Sequence, residues 1–227
     1  MNPCLEILKL YPRIYMKLFQ LKCAPGGSYP LSSGAKIITP NHPNSTDGFF
    51  LPFILREDIH FLMRSKAFSF PFIGNLLRSS GQIEVQAQNG QAAFQRACEV
   101  LNSGGTIVIF PQGKYSRDCI RGEGRTGAVR MSLTTGAPII PLGIHVPPGN
   151  IADLRKHRFR PFGPGCCQFS GTCTMRFGKE WRPCLRDGAT IHSLTYELMM
   201  KIEILAAEAG RESQCESQCS LNPIPQL

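Results

Sequence analysis

The chain lacks a long apolar run. Nowhere in its 227 residues does the sequence reach the roughly 18 consecutive apolar residues of a bilayer-spanning helix, and Lys9, Arg13 and Lys17 interrupt the best candidate. No spanning helix is therefore expected. Acidic residues are also scarce, 16 Asp plus Glu against 25 Lys plus Arg, for a net charge of +9. Such a balance suits nucleic acid, an anionic membrane surface or an acidic ligand. Helix-turn-helix, zinc-finger and RNP-like patterns are missing, which removes nucleic acid as the expected partner. A secretory signal is missing too. The ten cysteines then read as reduced cytosolic thiols rather than a disulfide framework, since Cys166-Cys167 and Cys215-x3-Cys219 have neither paired metal-ligand spacing nor a His cluster beside them. No metal or redox cofactor is implied. No Ser or Cys occupies a nucleophile elbow, so a covalent route through either is not expected. There is no internal repeat, and the length suits one domain.

What is present alternates between strand and helix. Ala35 to Thr39, Ile83 to Gln86, Thr106 to Phe110, Ile139 to Ile144 and Cys173 to Phe177 read as strands. Gln91 to Leu101, residues 125 to 135 and His192 to Ala209 read as helices, the last ended by Gly210. Strand, helix, strand in this order predicts an α/β domain with a mostly parallel sheet flanked by helices, whose ligands bind beyond the carboxyl ends of the strands.

One such strand end carries Asn41-His-Pro-Asn-Ser-Thr-Asp47. Residues five apart do not share a helix face, so His42 is expected in the loop and Asp47 in or beside the first turn of the helix over Phe49 to Leu55, where Ser45, Thr46 and Asp47 offer capping side chains. The loop can fold the pair together. An imidazole can then take a hydroxyl proton near neutral pH while the carboxylate fixes its tautomer and stabilises the imidazolium. The plain alternative is a capping Asp and a surface His.

Three further blocks follow in order: Gly81-Gln-Ile-Glu-Val-Gln86, Ile107-Val-Ile-Phe-Pro-Gln-Gly-Lys-Tyr-Ser116 and Gly136-Ala-Pro-Ile-Ile-Pro-Leu-Gly-Ile144. Over about residues 35 to 145 this order and spacing resembles the PlsC-type glycerolipid acyltransferases, with blocks N-H-x-S-x-x-D, G-x-I-f-V-x-R, F-P-E-G-T-R-S and P-x-x-P-V. Phe61 to Phe68, Pro71 to Gly74 and Arg125 to Arg130 look like that family's connecting segments. The resemblance implies an O-acyltransferase that moves a fatty acyl group from acyl-CoA or acyl carrier protein to a hydroxyl of a lysophospholipid or related lipid. His42 and Asp47 would be catalytic. Gln86, Phe110, Pro111, Gln112, Gly113, Lys114, Tyr115, Arg117 and Pro138 would meet substrate, with Gly113 a donor to the oxyanion. Gln112 stands where the family has Glu, Lys114-Tyr115 where it has Thr-Arg, and Gln86 where it has Arg. Those arginines are associated with the acceptor phosphate, so lysophosphatidate is not expected to be the preferred acceptor. Gln112 also fits a rival, a catalytically weak lipid-binding or regulatory protein on the same fold; retention of His42 and Asp47 argues against it.

Around this core, residues 1 to 22 carry net +3 and form a basic amphipathic segment in which Pro12 opens a second stretch. That segment either lies in a bilayer interface or packs on the domain. Residues 23 to 210 make the acyltransferase domain, and 211 to 227 read as a disordered tail. The loop from Lys114 to Arg130 is a candidate phosphate-binding mouth, since its glycines let backbone N–H groups approach an anion. The basic run Arg155 to Arg160 stands apart as a surface or membrane-facing patch. The expected location is peripheral, on the cytoplasmic face of a membrane.

Overall fold

A computed structural model of the chain describes residues 3–27, 34–55, 57–113, 123–154, 165–186 and 188–221, the last seven as backbone. The elements run α1 (Pro3–Leu18), β1 (Lys22–Gly27), β2 (Lys36–Pro40), α2 (Leu51–Ile54), β3 (Ile59–Arg64), α3 (Ser65–Phe68), α4 (Ile73–Ser79), β4 (Ile83–Val85), α5 (Gly90–Asn102) and β5 (Thr106–Val108). Then come α6 (Gly127–Thr135), β6 (Ile139–His145), β7 (Ile151–Asp153), β8 (Cys166–Gln168), β9 (Thr172–Phe177) and α7 (Ile191–Leu221).

Seven strands form one sheet in the order β1-β9-β6-β2-β5-β3-β4. All neighbours are parallel except β6 and β9. β2 lies at the centre and is buried throughout. Successive side chains on a strand point to opposite faces. Ile37, Ile107 and Ile139 accordingly join a core with α5, α6 and α7, while Ile38, Val108 and Ile140 join a second core with Phe50, Leu51, Met175 and Phe177. β7 and β8 make a separate two-stranded ribbon. The expected mostly parallel α/β domain is what the chain forms.

Local reading fails at three points. α1 is one helix that runs through Pro12, although proline lacks the N–H of a helix interior. Pro12 is buried there with Leu5 and Tyr15, so packing offsets the lost hydrogen bond. α7 does not stop at Gly210 but continues to Leu221, and residues 211 to 221 are helix rather than disordered tail. Gly210 serves packing instead of capping: a Cβ there would lie 3.2 Å from Nδ1 of His145. Glu208 and Glu212, on either side of it, both bind the guanidinium of Arg176 on β9, which ties this turn of the helix to the sheet. Third, packing on the domain does not cover all of the apolar surface of α1. α1 packs on the domain through one face, yet Ile7, Leu10, Tyr11, Ile14 and Leu18 remain exposed along another.

Candidate active site

The central strand β2 delivers the candidate site. Just past its carboxyl end, the Asn41 amide continues the pairing with β6: Nδ2 donates to Ile144 O (2.9 Å) and Oδ1 accepts from Ile144 N (2.6 Å). The chain then turns, and His42 Nδ1 lies 3.0 Å from Asp47 Oδ2. The imidazole is 20% exposed, whereas Asp47 is at 1%. Asp47 opens a short 3-10 turn, Asp47–Phe49, but no side chain caps that turn or α2. The expected cap is absent because the carboxylate is used elsewhere: Oδ2 accepts from His42 and from the backbone N–H of Asn44 (3.0 Å).

The rest of the loop is pinned as tightly. Asn44 Oδ1 accepts from the N–H (2.9 Å) and hydroxyl (2.6 Å) of Thr46. The Ser45 N–H and hydroxyl both donate to Cys166 O on β8, and Gln168 N donates to Thr46 Oγ1 at 3.2 Å. Behind β8, the buried Tyr15 hydroxyl donates to Gln168 O at 2.5 Å. Tyr15 of α1 thus braces the strand that braces the loop holding the dyad. Nothing in the sequence signalled this, since Tyr15 and Gln168 are 153 positions apart.

The third block closes over the dyad. The Phe110 ring lies against the imidazole, centroids 4.2 Å apart. Gln112 Oε1 accepts the backbone N–H of His42 at 2.9 Å. An amide oxygen fills that acceptor role as a carboxylate oxygen would, so Gln in place of Glu keeps the contact and gives up the charge. Pro111 O accepts from Arg125 N (2.8 Å). Gly113 adopts φ +66°, and its N–H donates to Phe110 O, so the donor expected for an oxyanion is already used within the turn. Its carbonyl accepts from Arg64 Nη2, at the end of β3, and a Cβ on Gly113 would come within 2.6 Å of Arg125 Nε. Two guanidinium groups therefore meet at this turn. In the sequence Arg64 stands only within a connecting segment.

Other expectations fare differently. Lys114, Tyr115, Arg117 and the run 155–160 lie outside the described residues. Gln86 is exposed in a turn, its carbonyl accepting from Asn89 N, beyond the edge strand β4 and three strands from β2. Pro138 is not at the site. It precedes β6, where its carbonyl accepts from Ile37 N, at the opposite end of β2 from His42 and about 16 Å of strand away. Arg130 belongs to α6, its guanidinium 4.8 Å from the Phe94 ring rather than at the mouth. An open cavity of about 590 Å³ lined by Glu57, His60, Arg96 and Thr106 lies at the amino ends of β3 and β5, away from the dyad.

Burial pushes the Asp47 carboxyl above its ordinary value, opposed by His42 and by the backbone and side chain of Asn44. The tautomer that donates Nδ1–H to that carboxylate carries its lone pair on Nε2, where it could accept a proton. Among the described residues no group of three or more His, Cys, Asp or Glu could hold a metal ion.

Sequence and fold both resemble known proteins. Residues 26–145, more than half of the chain, match the Acyltransferase family, and the chain belongs to it. It is 22% identical over 138 residues to a chloroplastic 1-acyl-sn-glycerol-3-phosphate acyltransferase of Brassica napus, covering 60% of this chain and 38% of that protein. It is 28% identical over 134 residues to the 1-acyl-sn-glycerol-3-phosphate acyltransferase of Escherichia coli K12, covering 56% and 53%. The chain thus spans about two fifths to a half of these relatives' length. The crystal structure of the 1-acyl-sn-glycerophosphate acyltransferase PlsC from Thermotoga maritima shares the fold, with TM-score 0.64 at 16% identity over 91% of this chain and 78% of that one.

Proposed function

We propose that this protein is an O-acyltransferase acting at a membrane surface, with His42 as general base. It would transfer a fatty acyl group from a thioester, acyl-CoA or acyl carrier protein, to a hydroxyl of a lysophospholipid. The 3.0 Å contact between His42 Nδ1 and the buried Asp47 carboxylate carries this reading. Nε2 takes the proton of the acceptor hydroxyl as its oxygen attacks the thioester carbonyl, and Asp47 stabilises the imidazolium. Collapse forms the ester and expels the thiolate, which recovers the proton from His42. The Phe110 ring against the imidazole restricts its rotation. No metal or other cofactor takes part.

The acceptor follows from the cations at the mouth. Although Gln86 and Tyr115 replace two arginines of the family pattern, Arg64 and Arg125 converge on Gly113. A guanidinium pair suits a phosphate, since charge-assisted bonds are roughly twice as strong as neutral ones. We therefore propose a phosphate-bearing lysolipid as acceptor. This revises the expectation that lysophosphatidate is disfavoured, and it agrees with the substrate in the relatives' names as 1-acyl-sn-glycerol-3-phosphate acyltransferases.

No described helix is long and apolar enough to cross a membrane. The exposed apolar stripe of α1, with the exposed Arg13 and Lys17 on a neighbouring face, suits peripheral binding to anionic lipid. We propose the cytoplasmic face, where the thiols of Cys166, Cys167 and Cys173 stay reduced. The test is to incubate purified protein with radiolabelled acyl-CoA or acyl carrier protein and a panel of lysolipids. Labelled diacyl product, lost in His42→Ala, is expected. Donor binding without transfer to any acceptor would favour the catalytically weak scaffold. Arg64→Ala should raise KM for lysophosphatidate far more than for an uncharged lysolipid, and equal effects would remove Arg64 from phosphate binding.

A further inference from the structure

The turn between α3 and α4 presents its largest side chain to solvent. Phe72 is 90% exposed at φ +61°, a backbone region that non-glycine residues rarely enter. Its neighbours hold it there: Ile73 N donates to Pro71 O, Gly74 N to Phe70 O and Leu76 N to Phe72 O. Gly74 lies so close to the Phe68 carbonyl that a Cβ would come within 2.0 Å of it. Phe70 and Ile73 are exposed as well. α4 packs directly against α1, so this turn adjoins the helix whose Ile7, Leu10, Ile14 and Leu18 form an outward stripe.

We propose that the Phe70–Ile73 turn is a second membrane anchor, inserting Phe72 into the interface of an anionic bilayer beside α1. The inference rests on the membrane-surface reading above and adds a site to it. Charge selects the bilayer as the occupant: Arg13 and Lys17 are exposed one turn apart on α1, Lys66 and Arg78 flank the turn, and the chain carries net +9. Position gives a second reason. The turn begins six residues after Arg64, whose guanidinium is at the Gly113 turn beside the dyad. Anchoring there sets the mouth at headgroup level, where a lysolipid can reach the site without leaving the membrane.

The experiment uses the full chain with vesicles of equal parts phosphatidylcholine and phosphatidylglycerol. Phe72→Asn removes the ring and keeps a residue at ease with positive φ, and a thermal melt checks that the fold is unchanged. Its vesicle affinity should fall about tenfold or more, the scale of one Phe ring transferred from water. Turnover of a short-chain, water-soluble acceptor should be unaltered. In Phe72→Trp, the emission added to that of the native Trp181 should shift blue on vesicles and be quenched by brominated acyl chains. Equal vesicle binding by wild type and Phe72→Asn, or an unshifted Phe72→Trp, overturns the proposal while leaving membrane binding by α1 intact. Absence of wild-type binding would overturn both. Self-association abolished by Phe72→Asn, with vesicle binding unchanged, would assign the surface to a second copy and also refute the anchor.

Discussion

The loop 41–47 and the turn 70–73 are both short, and both hold residues in constrained positions, but to opposite ends. In the first, Asn41, Asn44, Ser45, Thr46 and Asp47 direct their polar atoms inward to one another, to β6 and to β8. In the second, backbone hydrogen bonds fix the chain so that Phe72 points away from the protein. A base must stay within a few tenths of an ångström of its partner, and interlocking hydrogen bonds accomplish that. Contact with lipid needs only apolar area on the outside. Tyr15 joins the two regions: its helix carries the exposed stripe, and its hydroxyl braces the strand behind the loop.

The largest effects should come from the dyad. His42→Ala is expected to lower turnover by about 10² to 10⁴ with the cooperative melt preserved. Asp47→Asn should cost activity on a similar scale without lowering Tm, because it removes a carboxylate from a fully buried position. The sign with pH follows. Burial raises the carboxyl of Asp47 above its unfolded value, so the folded state favours the protonated form. Its contribution to stability is fullest below the ordinary carboxylate pKa and is lost as pH rises through the folded value. The Tm of Asp47→Asn relative to wild type should therefore increase from acid towards neutral pH. A relative Tm that fell over that range would mean the ion pair outweighs desolvation.

Next comes the brace. Tyr15→Phe removes one hydroxyl and keeps the ring among Phe19, Phe49 and Phe169. One net hydrogen bond is worth about 1 kcal/mol, so kcat on a soluble acceptor should fall by about fivefold with KM nearly unchanged. A change in vesicle affinity alone would make Tyr15 part of the membrane face only. Gln112→Glu should be milder, within about threefold of wild type, because the acceptor for His42 N–H persists; Gln112→Leu should lose more, since a half-buried N–H is then left unpaired. If Gln112→Glu raised activity by an order of magnitude, charge at this position would matter more than the acceptor. The smallest effect belongs to Arg13→Ala with Lys17→Ala, expected to weaken vesicle binding modestly and to flatten its salt dependence, because exposed charges are screened.

Much of the fold could be read from the chain because it rests on local patterns. The strands of the parallel core, helices α5 and α6 and the H-x4-D spacing each depend on neighbours within a few residues, and all occur where expected. What escaped depends on distant partners. Gly210 looks like a helix terminator, and only the His145 ring beneath it explains a glycine inside a helix. Pro12 looks like a helix start until its burial is known. Pro138 opens a sequence block that spans the whole of β6, so it lies at the end of the strand opposite His42. Arg64 reaches the mouth because β3 ends beside the Gly113 turn, 49 positions later in the chain.

The most direct test of the central claim is label transfer from acyl-CoA to lysophosphatidate by wild type and by His42→Ala, both shown folded by thermal melt. The account predicts labelled diacyl product from the wild type and about a hundredth of its rate or less from the variant. Equal rates from the two proteins would contradict it.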